Sequence, residues 1–194
     1  MYFLQTSVQI GQASFEIRNK GDFRMVLDCF NALNDSELTE REQLYSALII
    51  FYEDFNSLED LLDHEELIPE LFKEMTKFFD CGDEESKSNS GGYNLVDWNK
   101  DSNLICSAIN NVAHQEVRAL EYLHWWTFLG YYAAIGECTF STIVTLRYKK
   151  AHGDKLEKYE RKFIQENPNY FNIDMRSAAQ KEADDYVKKL WGGG

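Results

Sequence analysis

Residues 120–150 read LEYLHWWTFLGYYAAIGECTFSTIVTLRYKK, and the reading of this stretch decides the fold. Trp125 and Trp126 stand side by side, and Phe128, Tyr131 and Tyr132 follow within six residues. Between Trp125 and Leu146 the only charged side chain is Glu137. A run of about 20 apolar residues is long enough to cross a bilayer, so a membrane span must be tested first. Glu137 near the middle argues against it, because a charge at mid-bilayer costs roughly 2.5–3.5 kcal/mol on insertion scales. Gly130, Gly136 and several Ser and Thr residues argue the same way. The stretch is therefore expected to be two core helices that meet near Gly136, with Thr139 or Ser141 capping the second.

Working outward, the 194 residues are 44% hydrophobic and 14% aromatic, which is enough apolar material for a real core. A single domain is expected over 1–194, with a hairpin and acidic helices in 1–81, a flexible linker at 82–92 and an aromatic-rich helical part at 93–190. The formal net charge of −13 argues against nucleic acid as the main partner, since phosphate binding needs a basic surface. The opening MYFLQTSVQI lacks a basic region followed by a long apolar run, so no secretory signal is expected there. Cys29, Cys81, Cys106 and Cys138 lie far apart and form no CxxC pair, and they read as buried thiols in a reducing compartment. His64, His114, His124 and His152 are equally scattered. No metal or other cofactor is expected.

Before the aromatic stretch, residues 7–18 alternate apolar and polar on both sides of Gly11-Gln12, which is the pattern of a small β-hairpin. A lone hairpin is marginal in water, so it must lie on the helical body or meet a strand of another molecule. Asp22 opens a helix with Phe23, Val26, Leu27 and Phe30 on one face. Thr39 and Glu42 have the spacing of a capping box, and the helix they open carries Leu44, Leu48, Phe51 and Phe55. One turn is expected over 57–63 and a further helix over 65–79, where the early Pro69 is tolerated in a first turn. Residues 82–92, GDEESKSNSGG, hold no apolar side chain and read as a mobile polar loop. After it, Leu104, Ile105, Ala108, Ile109, Val112 and Ala113 make a broad apolar helical face. Leu156, Tyr159, Phe163 and Ile164 mark another helix, stopped by Asn167-Pro168-Asn169, and a last helix is expected from Asp174. The class is mainly α: a compact body of seven or eight helices with one N-terminal β-hairpin.

Charge is unevenly distributed. Residues 53–85 contain thirteen Asp and Glu against Lys73 and Lys77. Residues 147–162 reverse the sign, with seven Lys and Arg against three acids. The two segments invite electrostatic pairing, which closes a domain within one molecule or makes a head-to-tail contact between molecules. Reaction machinery is missing from the pattern: there is no Gly-rich phosphate loop, no GxSxG and no metal-ligand spacing. His124 beside Trp125 has no nucleophile or second acid–base group nearby in sequence, and reads as a core-edge histidine hydrogen-bonded to backbone.

Several motifs together carry a family resemblance. Leu123-His124-Trp125-Trp126 with Phe128, then Cys138-Thr139-Phe140, Ile143, Arg147 and Lys155-Leu156-Glu157-Lys158, resemble the bacteriophage gene-product-fifteen family. Gly21-Asp22-Phe23-Arg24 and Phe79-Asp80-Cys81-Gly82 fit the same pattern, whereas YNLVD at 93–97 departs from the family's Tyr-Ser-Phe-acidic run. The family comes from long-tailed phages and prophages of Gram-positive bacteria, and its members resemble tail assembly chaperones in gene position. The resemblance implies a non-enzymatic factor in the host cytoplasm that binds or coats the tape measure protein, and leaves it when tail-tube protein arrives. The alternative it leaves open is a minor tail or connector subunit retained in the virion. On that footing His124, Trp125, Trp126, Phe128, Phe140 and Ile143 are expected to be motif and core residues. Glu65, Glu66, Glu70 and Glu74, with Arg147, Tyr148, Lys149 and Lys150, are the candidate contacts for self-association or client.

Overall fold

The computed structural model of the chain describes residues 3–82 and 92–176. Its backbone is mainly helical, with eight α-helices among the described residues and a two-stranded antiparallel hairpin at the N-terminal end. The chain divides into two compact units, Met1–Ser86 with Ala119–Ala133 and Lys87–Arg118 with Ala134–Gly194. Each is described by itself. The polar loop expected at 82–92 falls, apart from its end residues, outside the described residues, as does most of the helix expected after Asp174.

In the first unit, β1 (Ser7–Ile10) and β2 (Ala13–Glu16) pair in the register Ser7 with Glu16 and Val8 with Phe15. Gly11 opens the two-residue turn at φ +60°, the left-handed value that a type II′ hairpin asks of its first central residue. Val8, Phe15 and Ile17 are buried against the helices, so the hairpin does lie on a helical body. Helix α1 (Phe23–Leu33) is capped by the Asp22 carboxylate, which accepts from the Arg24 N–H. Its buried face is Phe23, Met25, Val26 and Cys29, while the expected Leu27 and Phe30 are only half-buried.

Helix α2 (Glu40–Phe51) packs on α1 and opens with the expected capping box: the Glu42 N–H donates to Thr39 Oγ1, and the Thr39 N–H donates to the Glu42 carboxylate. It ends sooner than its sequence pattern. Tyr52 turns to extended backbone and bridges to Ile17, while its buried hydroxyl donates to Leu71 O at 2.8 Å. Phe55, predicted to continue the helical stripe, is buried from the loop beyond it. Arg18 holds that loop with one Nη2, which reaches the carbonyls of Ile49, Tyr52 and Phe55 at 2.8–3.2 Å. Ser57 then caps the short α3 (Leu58–Leu62), and a 3-10 turn at Glu65–Leu67 leads into α4 (Ile68–Phe79), with Pro69 in its first turn.

The first unit is completed by α6 (Trp125–Ala133), and the second unit contains α5 (Ser102–Ala113), α7 (Thr139–His152) and α8 (Lys158–Glu166). Ile105, Cys106, Ala108 and Ile109 are the buried residues of α5, which packs on α7. Cys138, rather than Thr139 or Ser141, is the cap residue of α7; Ser141 Oγ contributes from three positions on by accepting the Cys138 N–H at 2.9 Å. At the other end Gly153 takes φ +72°, and the Asp154 N–H reaches back to Lys149 O, the bonding pattern of a Schellman stop. The expected uniform burial of the thiols holds for Cys29 and Cys106 only, since Cys81 is exposed and Cys138 half-buried. No helix of the described residues is long and apolar enough to cross a membrane.

Gly21 offers a direct test of packing in the first unit. Its φ is +78°, and a Cβ there would stand 2.7 Å from Phe78 Cζ and 3.0 Å from His124 Nε2. Left-handed backbone costs a non-glycine residue roughly 1–2 kcal/mol before the clash is counted. Gly21→Ala is expected to lower the urea unfolding free energy by at least about 2 kcal/mol, whereas Gly11→Ala, with nothing within 4 Å, carries the backbone cost alone.

Candidate functional site

The densest set of singled-out residues lies where α6 begins. The chain enters it antiparallel to the start of α1, with a backbone bridge between Asp22 and His124 and a Phe23 N–H bond to Leu123 O. His124 is buried at 1% exposure and hydrogen-bonded through both ring nitrogens. Its Nδ1 accepts the Trp126 N–H at 3.1 Å, which leaves Nε2 to donate to Gln5 O at 2.9 Å. The core-edge, backbone-bonded histidine read from sequence is what the structure contains.

The two tryptophans have a role that their apolar bulk did not announce. The last carbonyls of a helix have no partner within it. At the end of α4 the Trp126 Nε1–H donates to Phe78 O at 2.8 Å and the Trp125 Nε1–H to Phe79 O at 3.0 Å. The remaining end carbonyls are met by backbone, with Cys81 at φ +58° and the Gly82 N–H on Lys77 O. The paired indoles thus close α4 from a segment more than forty residues away. Trp125 also packs in the core on Phe30 and Phe128, and Phe128 stacks on Phe23 with centroids 4.5 Å apart. Trp126, half-buried, lies against Phe78 and His124.

Phe140 and Ile143 are buried in the second unit, on α7. The four consecutive contact candidates on that helix separate by direction. Arg147 has no exposed surface: its guanidinium grips Asp101 through two nitrogens at 2.6 and 2.8 Å, and donates to Leu95 O and Tyr170 O. It is an internal tie and does not reach a partner. Lys149 is committed to the Glu160 carboxylate at 2.6 Å; the hydrogen bond holds the Lys149 ammonium above its ordinary pKa and the Glu160 carboxyl below its own. Tyr148 and Lys150 face solvent, with Tyr148 stacked on His152 at 4.0 Å. The acidic candidates lie in the first unit: Glu65, Glu66 and Glu70 are exposed and Glu74 half-buried, and Arg41 lies 3.6 Å from Glu65.

A cleft of about 760 Å³ on the first unit is lined by Arg18, Arg24, Asp28, Glu121 and Tyr122, among others. Arg18 is occupied by backbone carbonyls, and Arg24 by Asp22 and Leu120 O. No group of three or more metal-ligating side chains occurs among the described residues. Sequence reasoning missed Asp22 as a hub and Asp101 as the partner of Arg147. The spacing of Arg147 seven residues after Phe140 and four after Ile143 was the available signal, because it puts the arginine on their buried face.

The distinctive polar residues of this mainly helical chain tie its own segments together, and its class comes from comparison with known proteins. The chain belongs to the family described as Bacteriophage Gp15 protein, whose profile matches residues 3–173. That is a family of phage structural or assembly proteins, not known as enzymes. Searches of curated proteins and of solved structures find no match.

Three outcomes test these assignments. Asp101→Ala leaves the Arg147 charge buried and unpaired, so it is expected to cost about 3–5 kcal/mol in chemical denaturation. Lys162→Ala, which removes an exposed pair with Glu166, is expected to cost less than about 1 kcal/mol. For His124, burial holds the folded pKa below the ordinary 6.5, against weaker opposing effects of Gln5 O and Asp22. The unfolded chain therefore binds the proton more readily. The histidine's contribution to stability is complete above about pH 6.5 and is lost as pH falls through the folded value. Unfolding free energy should fall as pH drops below about 6.5, with a smaller slope in His124→Gln.

Proposed function

We propose that this chain is a tail assembly chaperone that binds or coats the tape measure protein during tail morphogenesis in the host cytoplasm, without enzymatic chemistry. The observation that carries the reading is the combination of family membership with a segregated surface. Exposed acids in the 3-10 turn before α4 (Glu65, Glu66) and in its first turn (Glu70) lie in one unit, and exposed Tyr148, Lys150 and Tyr159 lie on α7 and α8 of the other. A protein that repeats along a long client needs unlike surfaces that meet between copies, and head-to-tail contacts of that kind propagate. It also needs contacts weak enough to release, and rim charges and partly exposed aromatics are of that kind. Tail-tube protein is the natural competitor that would displace it.

Within this reading the contact set narrows to Tyr148 and Lys150, with Lys149 contributing in part, opposite Glu65, Glu66, Glu70 and Glu74. The test is light scattering of the protein alone and mixed with the tape measure protein of the same genome. The client is expected to stay soluble only in the mixture, in complexes holding many copies of this chain. A Lys149→Glu/Lys150→Glu variant should weaken both association and client binding. Tape measure protein that precipitates regardless would sink the proposal and favour a retained tail subunit, detectable by mass spectrometry of intact particles.

A further inference from the structure

The hairpin has one closed edge and one open edge. Beyond β2 the chain at 52–54 seals it: the Glu53 N–H donates to Glu16 O, Asp54 accepts the Glu16 N–H, and Tyr52 bridges to Ile17. Beyond β1 no strand pairs among the described residues. The Ile17 N–H donates to Thr6 O, so by antiparallel alternation Thr6, Val8 and Ile10 face β2, and the backbone groups of Ser7 and Gln9 point outward. Part of that edge is covered, since the Gln5 side-chain amide donates to Ser7 O at 3.0 Å, and Gln5 O just before it accepts from His124 Nε2. Just before it, Phe3 and Leu4 are 83% and 48% exposed.

Proteins normally protect such an edge with lysine, proline or another charge. Here the sequence has no charged residue and no proline before Glu16, in a chain whose composition is 27% charged. The missing protection is the informative feature. A copy carrying −13 repels another copy, and an uncharged edge is where two can approach.

We propose that β1 is a self-pairing edge: two copies join antiparallel through β1 about a two-fold axis at Val8, forming a four-stranded sheet in the order β2, β1, β1, β2. Ser7 of each copy lies opposite Gln9 of the other, and all four outward N–H groups and carbonyls of these residues are paired once the Gln5 amide swings away. The same register puts Leu4 opposite the other copy's Gln12 and Phe3 just past its turn, opposite Ala13, which covers apolar surface that one copy leaves in water. The contact is isologous and closes at two copies. It does not depend on whether the chain escorts a client.

Sedimentation equilibrium of the purified chain over a wide concentration range tests the register. The wild type is expected to dimerise. Ser7→Lys/Gln9→Lys places like charges opposite each other twice and should weaken the dimer by about tenfold or more. It does so although it brings the net charge nearer to zero, so a general charge effect would act in the other direction. Ser7→Lys/Gln9→Glu places opposite charges in the same two positions and should restore dimerisation. Circular dichroism checks that each variant is folded. A monomeric wild type, or a Lys/Lys variant that dimerises as the wild type does, would overturn the proposal. So would a Lys/Lys variant that loses tape measure binding while the wild type alone is monomeric, because the edge would then belong to the client.

Discussion

The carboxylate of Asp22 holds the first unit in register. It caps α1 through the Arg24 N–H, pairs with the Arg24 guanidinium, and accepts the Leu123 N–H at 2.9 Å across 101 positions of sequence. A contact between residues so far apart must offset a large loop-closure entropy, and a single hydrogen bond does not. The cost is met collectively. Once Leu123 is fixed, His124 falls within reach of Gln5 O, and the two indoles within reach of the α4 carbonyls. Phe128 then stacks on Phe23. Gly21 sits inside this junction with no room for a side chain, which is why Gly-Asp-Phe at 21–23 and His-Trp-Trp at 124–126 belong to one structural element although they are far apart in the chain.

The second unit uses the same device with the charge reversed. Arg147 enters from α7 and gathers Asp101 at the start of α5, Leu95 in the segment before it, and Tyr170 after α8. Burying an isolated charge would be prohibitive, so the arrangement stands only because all its donors meet acceptors, two on a carboxylate and the others on carbonyls. No buried side-chain nitrogen or oxygen lacks a partner among the described residues. The polar interior works as a set of ties between segments that hydrophobic contact alone would leave free to slide.

Local signals were legible in the sequence and long-range ones were not. The hairpin, the Thr39–Glu42 capping box and the turn at Ser57 are each decided within a few residues and stand where their patterns put them, whereas the helix expected from 65 starts at Ile68 after a 3-10 turn, which is what puts Pro69 in its first turn. Phe55 was misplaced because periodicity cannot know that Tyr52 will leave the helix to bridge to Ile17 and bond Leu71. Trp125 is buried and Trp126 only half-buried; an indole N–H announces no partner in sequence, and the α4 carbonyls come from another part of the chain. Arg147 was hidden by its neighbours. A run of Arg, Tyr, Lys and Lys looks like one surface patch when counted as charge, whereas a helix turns each successive side chain to a different direction.

That rotation changes what the basic segment can offer a partner. Counted along the chain it is strongly positive, yet Arg147 is neutralised inside by Asp101 and Lys149 is held by Glu160. What remains outward on α7 and α8 includes Lys150 and the broad rings of Tyr148 and Tyr159, the latter 72% exposed. An interface built there draws on aromatic area as much as on cation count, and amphipathic rings supply contact area at low entropic cost. Ion pairing at an exposed rim contributes little net affinity and mainly steers approach. Of the seven cations in the segment, Arg147 and Lys149 are held within its own fold, and Lys150, Lys155, Lys158, Arg161 and Lys162 stay exposed, so rings and cations together make up what it offers outside.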